Sequence, residues 1–141
     1  MEYCKSQAGY FLRLMKGEDI PATIAKFVAE QKLGGAFFTG LGAIEGVKLG
    51  YYDLEQKKYL DQEYPGDVEL ANMTGNVTYV DGEPFTHVHA TIMTGQFETF
   101  SGHLFSGVVA VTVEVNLVAT ATKMIREADK ITGLKLIKFQ G

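Results

Sequence analysis

The sequence predicts a single α+β domain, in which a β-rich, curled and mostly antiparallel sheet packs on one main helix. Three observations lead to this expectation: one amphipathic stretch near the N-terminus, a long series of segments with two-residue hydrophobic alternation after it, and glycines that punctuate the series. With 141 residues, of which 46% are hydrophobic and 21% charged, the chain has the size and composition of one globular domain over residues 1–141.

The N-terminal part predicts one strand and then the main helix. Residues 9–15 (GYFLRLM) alternate between two faces and predict a strand. After an N-cap within Gly17-Glu18-Asp19, apolar residues recur with helical spacing from Ile20 to Val28, and Pro21 fits the first turn of such a helix. We expect Gly34-Gly35 to end the helix.

Strands dominate the remainder of the chain. The alternation predicts strands over residues 36–53, 57–64, 68–80, 85–93, 99–105 and 108–119. Gly66-Asp67 and Asp81-Gly82 are turn signals, and the second closes a predicted hairpin. Gly40, Gly42, Gly46 and Gly50 suggest bulges in a long bent strand. Thr120 to Asp129 suits a short C-terminal helix, and Leu134 to Phe139 a last strand.

Charge and cysteine usage exclude several classes of function. Thirteen basic residues against 17 acidic ones give a net charge of −4, which argues against DNA binding by the whole surface. A basic cluster near the C-terminus, from Lys123 to Lys138, is interpreted as exposed charge on the final helix and strand. The single cysteine, Cys4, and an N-terminus without a secretory pattern favour a cytoplasmic protein. No apolar run is long enough for a membrane span, so no membrane partner is expected.

The three histidines are the main candidates for chemistry. His87 and His89 lie two positions apart in a predicted strand, so both imidazoles point to one face, about 6 to 7 Å apart at Cα. His103 lies in the next strand, and antiparallel pairing would bring it within reach. Catalytic zinc sites commonly use three protein ligands and leave a fourth position to water. The pattern therefore predicts a metal site at His87, His89 and His103.

Two alternatives remain open for these histidines at the level of sequence. They are also compatible with polar residues on a half-exposed strand, or with core histidines that are hydrogen-bonded to Thr86, Thr91 or Ser101, although the metal site is favoured. If they bind a metal, Zn²⁺ is the first expectation, but imidazole also suits other divalent transition metals such as iron, nickel, cobalt and manganese.

Charged residues inside apolar strands form a second group of candidates. Arg13, Glu69 and Glu114 each interrupt an otherwise apolar segment, and a buried charge is costly unless it is paired or bound to a ligand. Near a metal, an arginine and a glutamate could bind a carboxylate substrate and move a proton. They are therefore predicted as catalytic residues, with outward-facing side chains or a simple ion pair as the alternative.

Motifs over nearly the whole chain resemble the plants-and-prokaryotes-conserved (PPC) domain family. The resemblance depends on a series of segments in order: GEDI (17–20), FFTGLGAI (37–44), LGYYD (49–53), TGNV (74–77), DGEPFTHVHA (81–90), SGHL (101–104), TVEV (112–115) and TGLKL (132–136). It implies a β-rich subunit that assembles as a homotrimer, with an architecture similar to acetolactate decarboxylase. It also implies that the three histidines match positions that can hold a metal, usually zinc.

The resemblance leaves three functions to distinguish. The first is a metal-binding protein that acts on a small-molecule ligand in a hydrolase- or lyase-like way; whether it is an enzyme stays open. The second is a DNA-binding or transcription-regulatory module, although the Arg-Gly-Arg-Pro type segment of the plant members does not occur in this sequence. The third is a trimeric assembly domain without catalysis. The plant strand motif Gly-Arg-Phe-Glu-Ile is matched by residues 66–70, so Glu69 carries over and the arginine does not.

Overall fold

The structure is a computed structural model that describes residues 1–138. It contains one helix and eight strands in these residues. In chain order they are β1 (Glu2–Lys5), β2 (Gly9–Met15), α1 (Ile20–Glu30), β3 (Gly35–Asp53), β4 (Lys58–Val80), β5 (Glu83–Met93), β6 (Thr99–Thr120), β7 (Ile125–Ala128) and β8 (Lys135–Lys138).

The long strands pair in a closed order, which gives the sheet its strong curl. β3 pairs with β4 and β6, and β5 pairs with the same two strands from the other side, all antiparallel. β2 adds to β6 and β1 adds to β2, whereas β7 joins β4 by a parallel contact and pairs with β8. The predicted curled, mostly antiparallel sheet on one main helix is therefore confirmed.

Helix α1 covers one face of the sheet and creates the core. Asp19 caps its N-terminus by accepting a hydrogen bond from the Ala22 amide at 2.9 Å, and Ile20, Ile24, Phe27 and Val28 are buried. These side chains pack with inward residues of the strands, such as Leu14 and Leu117. The opposite face of the sheet has no helix in the described residues, and the histidines lie on that face.

Several local predictions need correction. The helix ends at Glu30, before the glycines, because the chain reverses at Lys32, which has a φ of +54°. Gly66-Asp67 is not a turn: the two strands predicted around it form the single strand β4, opposite a register shift in β3 between Glu45 and Val47. The register shift between Gly40 and Gly42 confirms the predicted bulging of β3.

The predicted C-terminal helix over Thr120 to Asp129 is wrong. Thr120 ends β6, and Ile125–Ala128 forms strand β7, which pairs with β8. Tertiary contacts explain the difference, because the Arg126 side chain is fixed by residues about fifty positions earlier in the chain. The last predicted strand is present as Lys135–Lys138, and its predicted end at Phe139 lies outside the described residues.

The one helix of the described residues has eleven residues, which is too short for a membrane span. 

Candidate metal centre

The three histidines come together on the outward face of β5 and β6. Val88 and Ala90 point into the core, so the alternation of β5 directs His87 and His89 outward. His89 and His103 are direct register partners in the antiparallel pair β5–β6. The ring centroids are 5.2 to 5.7 Å apart, and one ligand nitrogen from each ring lies within 4.8 Å of the other two. The predicted convergence is confirmed.

The residues present fit a metal ion. Two nitrogens that bind one tetrahedral Zn²⁺ at about 2.1 Å lie roughly 3.4 Å apart, so modest side-chain rotation closes the gap. The Nδ1 atom of His103 is buried and has no hydrogen-bond partner in the described residues, and a bound ion would satisfy such an atom. The hydrogen bonds considered from the sequence do not occur, since Thr86 donates to the Pro21 carbonyl and Thr91 bonds to Ser101.

Electrostatics keep two of the imidazoles in the neutral form that metal binding needs. Burial, which has the largest effect, together with the nearby Arg126, His103 and His89, lowers the pKa of His87 from 6.5 to about 4. Burial also lowers the pKa of His103, with contributions from His89 and Arg126. Both rings are therefore unprotonated at neutral pH and offer a lone pair to a ligand.

Arg126 is the nearest cation to the histidines, and it is held in place by neutral groups. Its Nε donates to Thr78 Oγ1 at 2.9 Å, and its Nη2 donates to Asn76 Oδ1 at 3.0 Å. Nη1 donates to the Lys135 carbonyl at 2.8 Å, which ties the guanidinium to β8. Nη2 also lies 3.3 Å from His87 Nδ1, and because a guanidinium only donates, this nitrogen is the acceptor.

A cavity of about 500 Å³ opens beside the site. We call it the histidine cavity; its lining residues include His87, His103, Tyr59, Phe105 and Arg126. The rings of Phe105 and Tyr59 pack 4.7 and 5.2 Å from the His103 ring, centroid to centroid. Gly50, the register partner of His103, leaves room for this arrangement, because a Cβ at Gly50 would overlap the Phe105 ring.

The charged candidates Arg13 and Glu114 lie elsewhere. They are register partners across β2 and β6, and both line an open groove of about 630 Å³. We call this region the Arg13 groove; it contains none of the three histidines. Arg13 is half exposed and forms an ion pair with Glu2 at 2.7 Å. The alternative of outward-facing side chains or a simple ion pair therefore agrees with the structure, and the catalytic role of Arg13 and Glu114 stays a prediction.

Glu69 is also separated from the histidines. It is exposed and pairs with Met93, four positions beyond His89 on β5, which places it roughly 13 Å further along the sheet. The structure thus brings together the three predicted metal ligands but not the three predicted catalytic residues.

The residue that sequence reasoning missed is Arg126. The sequence predicts it in a solvent-exposed basic cluster on the final helix and strand, whereas it lies on strand β7 against His87. No local pattern identifies it, because its partners Asn76 and Thr78 belong to a distant strand. Only the docking of the β7–β8 hairpin onto β4 reveals its position.

Comparisons with known proteins bear directly on this arrangement. The family model described as the Plants and Prokaryotes Conserved (PCC) domain matches residues 1–121. A plant- and prokaryote-conserved (PPC) protein from Pyrococcus horikoshii is 30% identical with a TM-score of 0.86, over 99% of this chain and 96% of that one. A metal-containing protein from Archaeoglobus fulgidus is 32% identical with a TM-score of 0.85, over 98% and 97%.

Two further likenesses concern function and fold. A protein from Ralstonia eutropha, described as a presumed DNA-binding protein, is 26% identical with a TM-score of 0.91, over 98% of this chain and 96% of that one. Acetolactate decarboxylase from Bacillus subtilis subspecies spizizenii is 14% identical with a TM-score of 0.57, over 85% of this chain and 55% of that one. The latter confirms the expected architecture and shows the fold alone. A search of curated proteins gave no significant match.

Proposed function

This chain belongs to the Plants and Prokaryotes Conserved domain family, and from that premise we propose that it binds zinc through His87, His89 and His103. The observation that carries the proposal is the convergence of three imidazoles from two paired strands around a single point. The buried, unpartnered Nδ1 of His103 supports it. Support also comes from the Archaeoglobus fulgidus relative, which is described as a metal-containing protein.

The proposed site includes space for a small-molecule ligand beside the ion. Three histidine ligands leave at least one coordination position of a zinc ion open, and the neighbouring cavity gives access to it. A bound zinc ion at such a position polarises a carbonyl group or lowers the pKa of a bound water. The rings of Phe105 and Tyr59, which pack edge to face at 4.9 Å, form one side of the cavity. The activity that this site supports best is therefore hydrolase- or lyase-like chemistry on a small molecule.

We propose that the protein assembles as a homotrimer. Phe11, Phe37 and Leu41 are each about half exposed, at 54%, 49% and 55%, on strands whose other face packs into the core. Large apolar side chains of this kind, on the two strands that flank β6, are typical of a subunit interface. Sedimentation equilibrium tests this assembly: the expected mass is three times the 15.5 kDa of the chain, and a monomer would contradict it.

Zinc binding is tested by metal analysis of protein purified without a histidine tag. We expect about one equivalent of zinc per chain after incubation with Zn²⁺ and removal of the excess, since one site has all three histidines. Less than about a tenth of an equivalent, with no uptake of added Zn²⁺, Co²⁺ or Fe²⁺, would reject a metal site of this ligand type.

A DNA-binding function is the second candidate, because the Ralstonia eutropha relative carries that description. The net charge of −4 opposes it. Titration of duplex DNA at several salt concentrations distinguishes the two proposals. A steep fall of log K with log salt would favour phosphate contacts, and we expect no measurable binding at physiological salt.

A further inference from the structure

The position of Arg126 indicates what kind of ligand the histidine cavity accepts. Its guanidinium carries five N–H donors, and four of them meet acceptors of the described residues: Thr78, Asn76, the Lys135 carbonyl and His87. The contact to His87 is the longest, at 3.3 Å. One donor remains free, and the weakest contact is the one that faces the metal site.

The positive charge of Arg126 is not neutralised within the cavity. None of the lining residues is an aspartate or a glutamate, and no ion pair of Arg126 occurs in residues 1–138. The other cation of the lining, Lys135, pairs with Asp81 at 3.3 Å outside it. A part-buried cation without an acidic partner is costly, and an anionic ligand would offset that cost.

Zinc binding by His87 would release one donor of Arg126. If the ion bound Nδ1, it would replace the guanidinium at that atom. If it bound Nε2, the ring proton would move to Nδ1, which could then no longer accept from Arg126. In both cases the Nη2 group loses its contact with His87, so that it can bind a ligand next to the ion.

The remaining walls of the cavity are apolar. Carbon-rich side chains make up much of this lining, namely Phe85, Phe105, Leu104, Leu134 and Leu136, and the Phe85 ring centroid lies 5.4 Å from the guanidinium carbon of Arg126. A volume of about 500 Å³ suits a small organic molecule. One end of this ligand would therefore be an anion and the rest apolar.

We propose that the histidine cavity binds a small organic carboxylate, whose carboxylate group is held by Arg126 and whose apolar part contacts Phe85 and Phe105. The role of the ion next to the carboxylate rests on the proposed function. Arg126 lies beyond the family-matched residues 1–121, so this selectivity is supplied by the β7–β8 hairpin of this chain. Arg126 is then a specificity-determining residue for the site.

Calorimetric titration with neutral and charged probes of the same shape tests the proposal. The probes are the straight-chain acids from acetate to hexanoate, each compared with its primary amide, on protein with and without one equivalent of zinc. We expect the best acid to bind the zinc-loaded protein at least about 10-fold more tightly than its amide, as a charge-assisted pair with a guanidinium would give. We also expect zinc to tighten acid binding.

Variants assign the effect to Arg126. In the zinc-free protein, Arg126→Gln should remove the preference for the acid, and Arg126→Lys should retain part of it, because a lysine keeps the charge but loses the planar fork. Lys138→Gln is the matched control, since it removes one positive charge from the same hairpin but lies outside the cavity. Circular dichroism of each variant shows whether the hairpin and the sheet are preserved.

The outcomes distinguish failure of the carboxylate proposal from failure of the proposed zinc binding. Equal binding of acid and amide by the unmodified zinc-loaded protein, or no binding of any acid, overturns the carboxylate site and needs no variant to fold. A protein that takes up no zinc defeats the proposed function. In that case an acid preference of the zinc-free protein that disappears in Arg126→Gln still supports the carboxylate site, and its absence overturns it.

Discussion

Ionisable groups have opposite environments in the histidine cavity and in the Arg13 groove. In the groove, which is the larger of the two at about 630 Å³, Arg13 and Glu2 are both more than half exposed and neutralise each other. In the cavity, His103 has a buried nitrogen without a partner, and Arg126 has no acidic partner in the described residues. The difference teaches that unmatched, desolvated groups mark the candidate site here better than volume or charge alone.

Removal of two histidine ligands should have the largest effect. If zinc affinity did not change, the histidine cavity would no longer differ from the groove as a candidate site. His87→Ala combined with His89→Ala should weaken zinc binding by at least about 100-fold, because two of three ligands are lost, whereas loss of a residue that only hydrogen-bonds to a ligand already costs about 10- to 100-fold. Competition with a chelator of known zinc affinity measures the change. Arg13→Gln combined with Glu114→Gln is the matched double variant from the groove, and its zinc affinity should equal that of the unmodified protein.

Zinc should stabilise a fold that exists without it. The core lies on the helix side of the sheet, away from the histidines, so a chelator should leave the protein folded. At a free zinc concentration of 100 times Kd, the free energy of unfolding should rise by about 2.7 kcal/mol. Urea titrations with zinc and with chelator give this difference, and unfolding by the chelator alone would instead indicate a structural metal.

The lowered pKa of His87 predicts a pH dependence for the zinc-free protein. Because its pKa is about 4 in the fold and 6.5 in an unfolded chain, the unfolded state binds more protons between these values. Stability is therefore complete above pH 6.5 and decreases as the pH falls to about 4. We expect a loss of about 1 kcal/mol, less than the full linkage value because solvent screens a half-buried imidazole.

The comparison for that pH effect is His87→Gln in the presence of chelator. Its free energy of unfolding should depend less on pH between about 4 and 6.5 than that of the unmodified protein, since one titrating group is removed. Identical slopes in urea titrations would show that His87 does not titrate as the structure implies.

The smallest effect should come from the groove. Arg13→Gln removes an exposed ion pair, and such pairs contribute about 0 to 1 kcal/mol. Thermal unfolding should therefore change little, and 0.5 M NaCl should reduce even that change because salt screens exposed charges. This prediction applies to the dissociated chain, because Phe11 and Leu41 of the same groove belong to the proposed subunit interface; a much larger loss in the assembled protein would place Arg13 in that interface as well.

The sequence was sufficient for the features that depend on local periodicity. Two-residue alternation placed His87 and His89 on one face, and strand pairing brought His103 to them. Helical spacing identified α1, and Asp81-Gly82 identified the β4–β5 hairpin. These patterns are read from neighbouring residues, so they need no knowledge of distant contacts.

Features that depend on distant contacts could not be predicted in this way. The segment TATKMIREAD has several good helix formers, but it becomes strand β7 because it pairs with β8 and because Arg126 bonds to β4. Likewise, apolar neighbours could not decide between a site residue and an outward-facing charge for Arg13, Glu69 and Glu114, which the outward face of each strand exposes. The second part of the candidate site, Arg126, was hidden for the same reason.

The most direct test of the zinc site is a crystal structure of the zinc-loaded protein with diffraction data on both sides of the zinc absorption edge. We predict one anomalous peak per chain, about 2.0 to 2.1 Å from a nitrogen of each of His87, His89 and His103. The absence of a peak between the three rings, or a peak bound by other residues, would contradict the account.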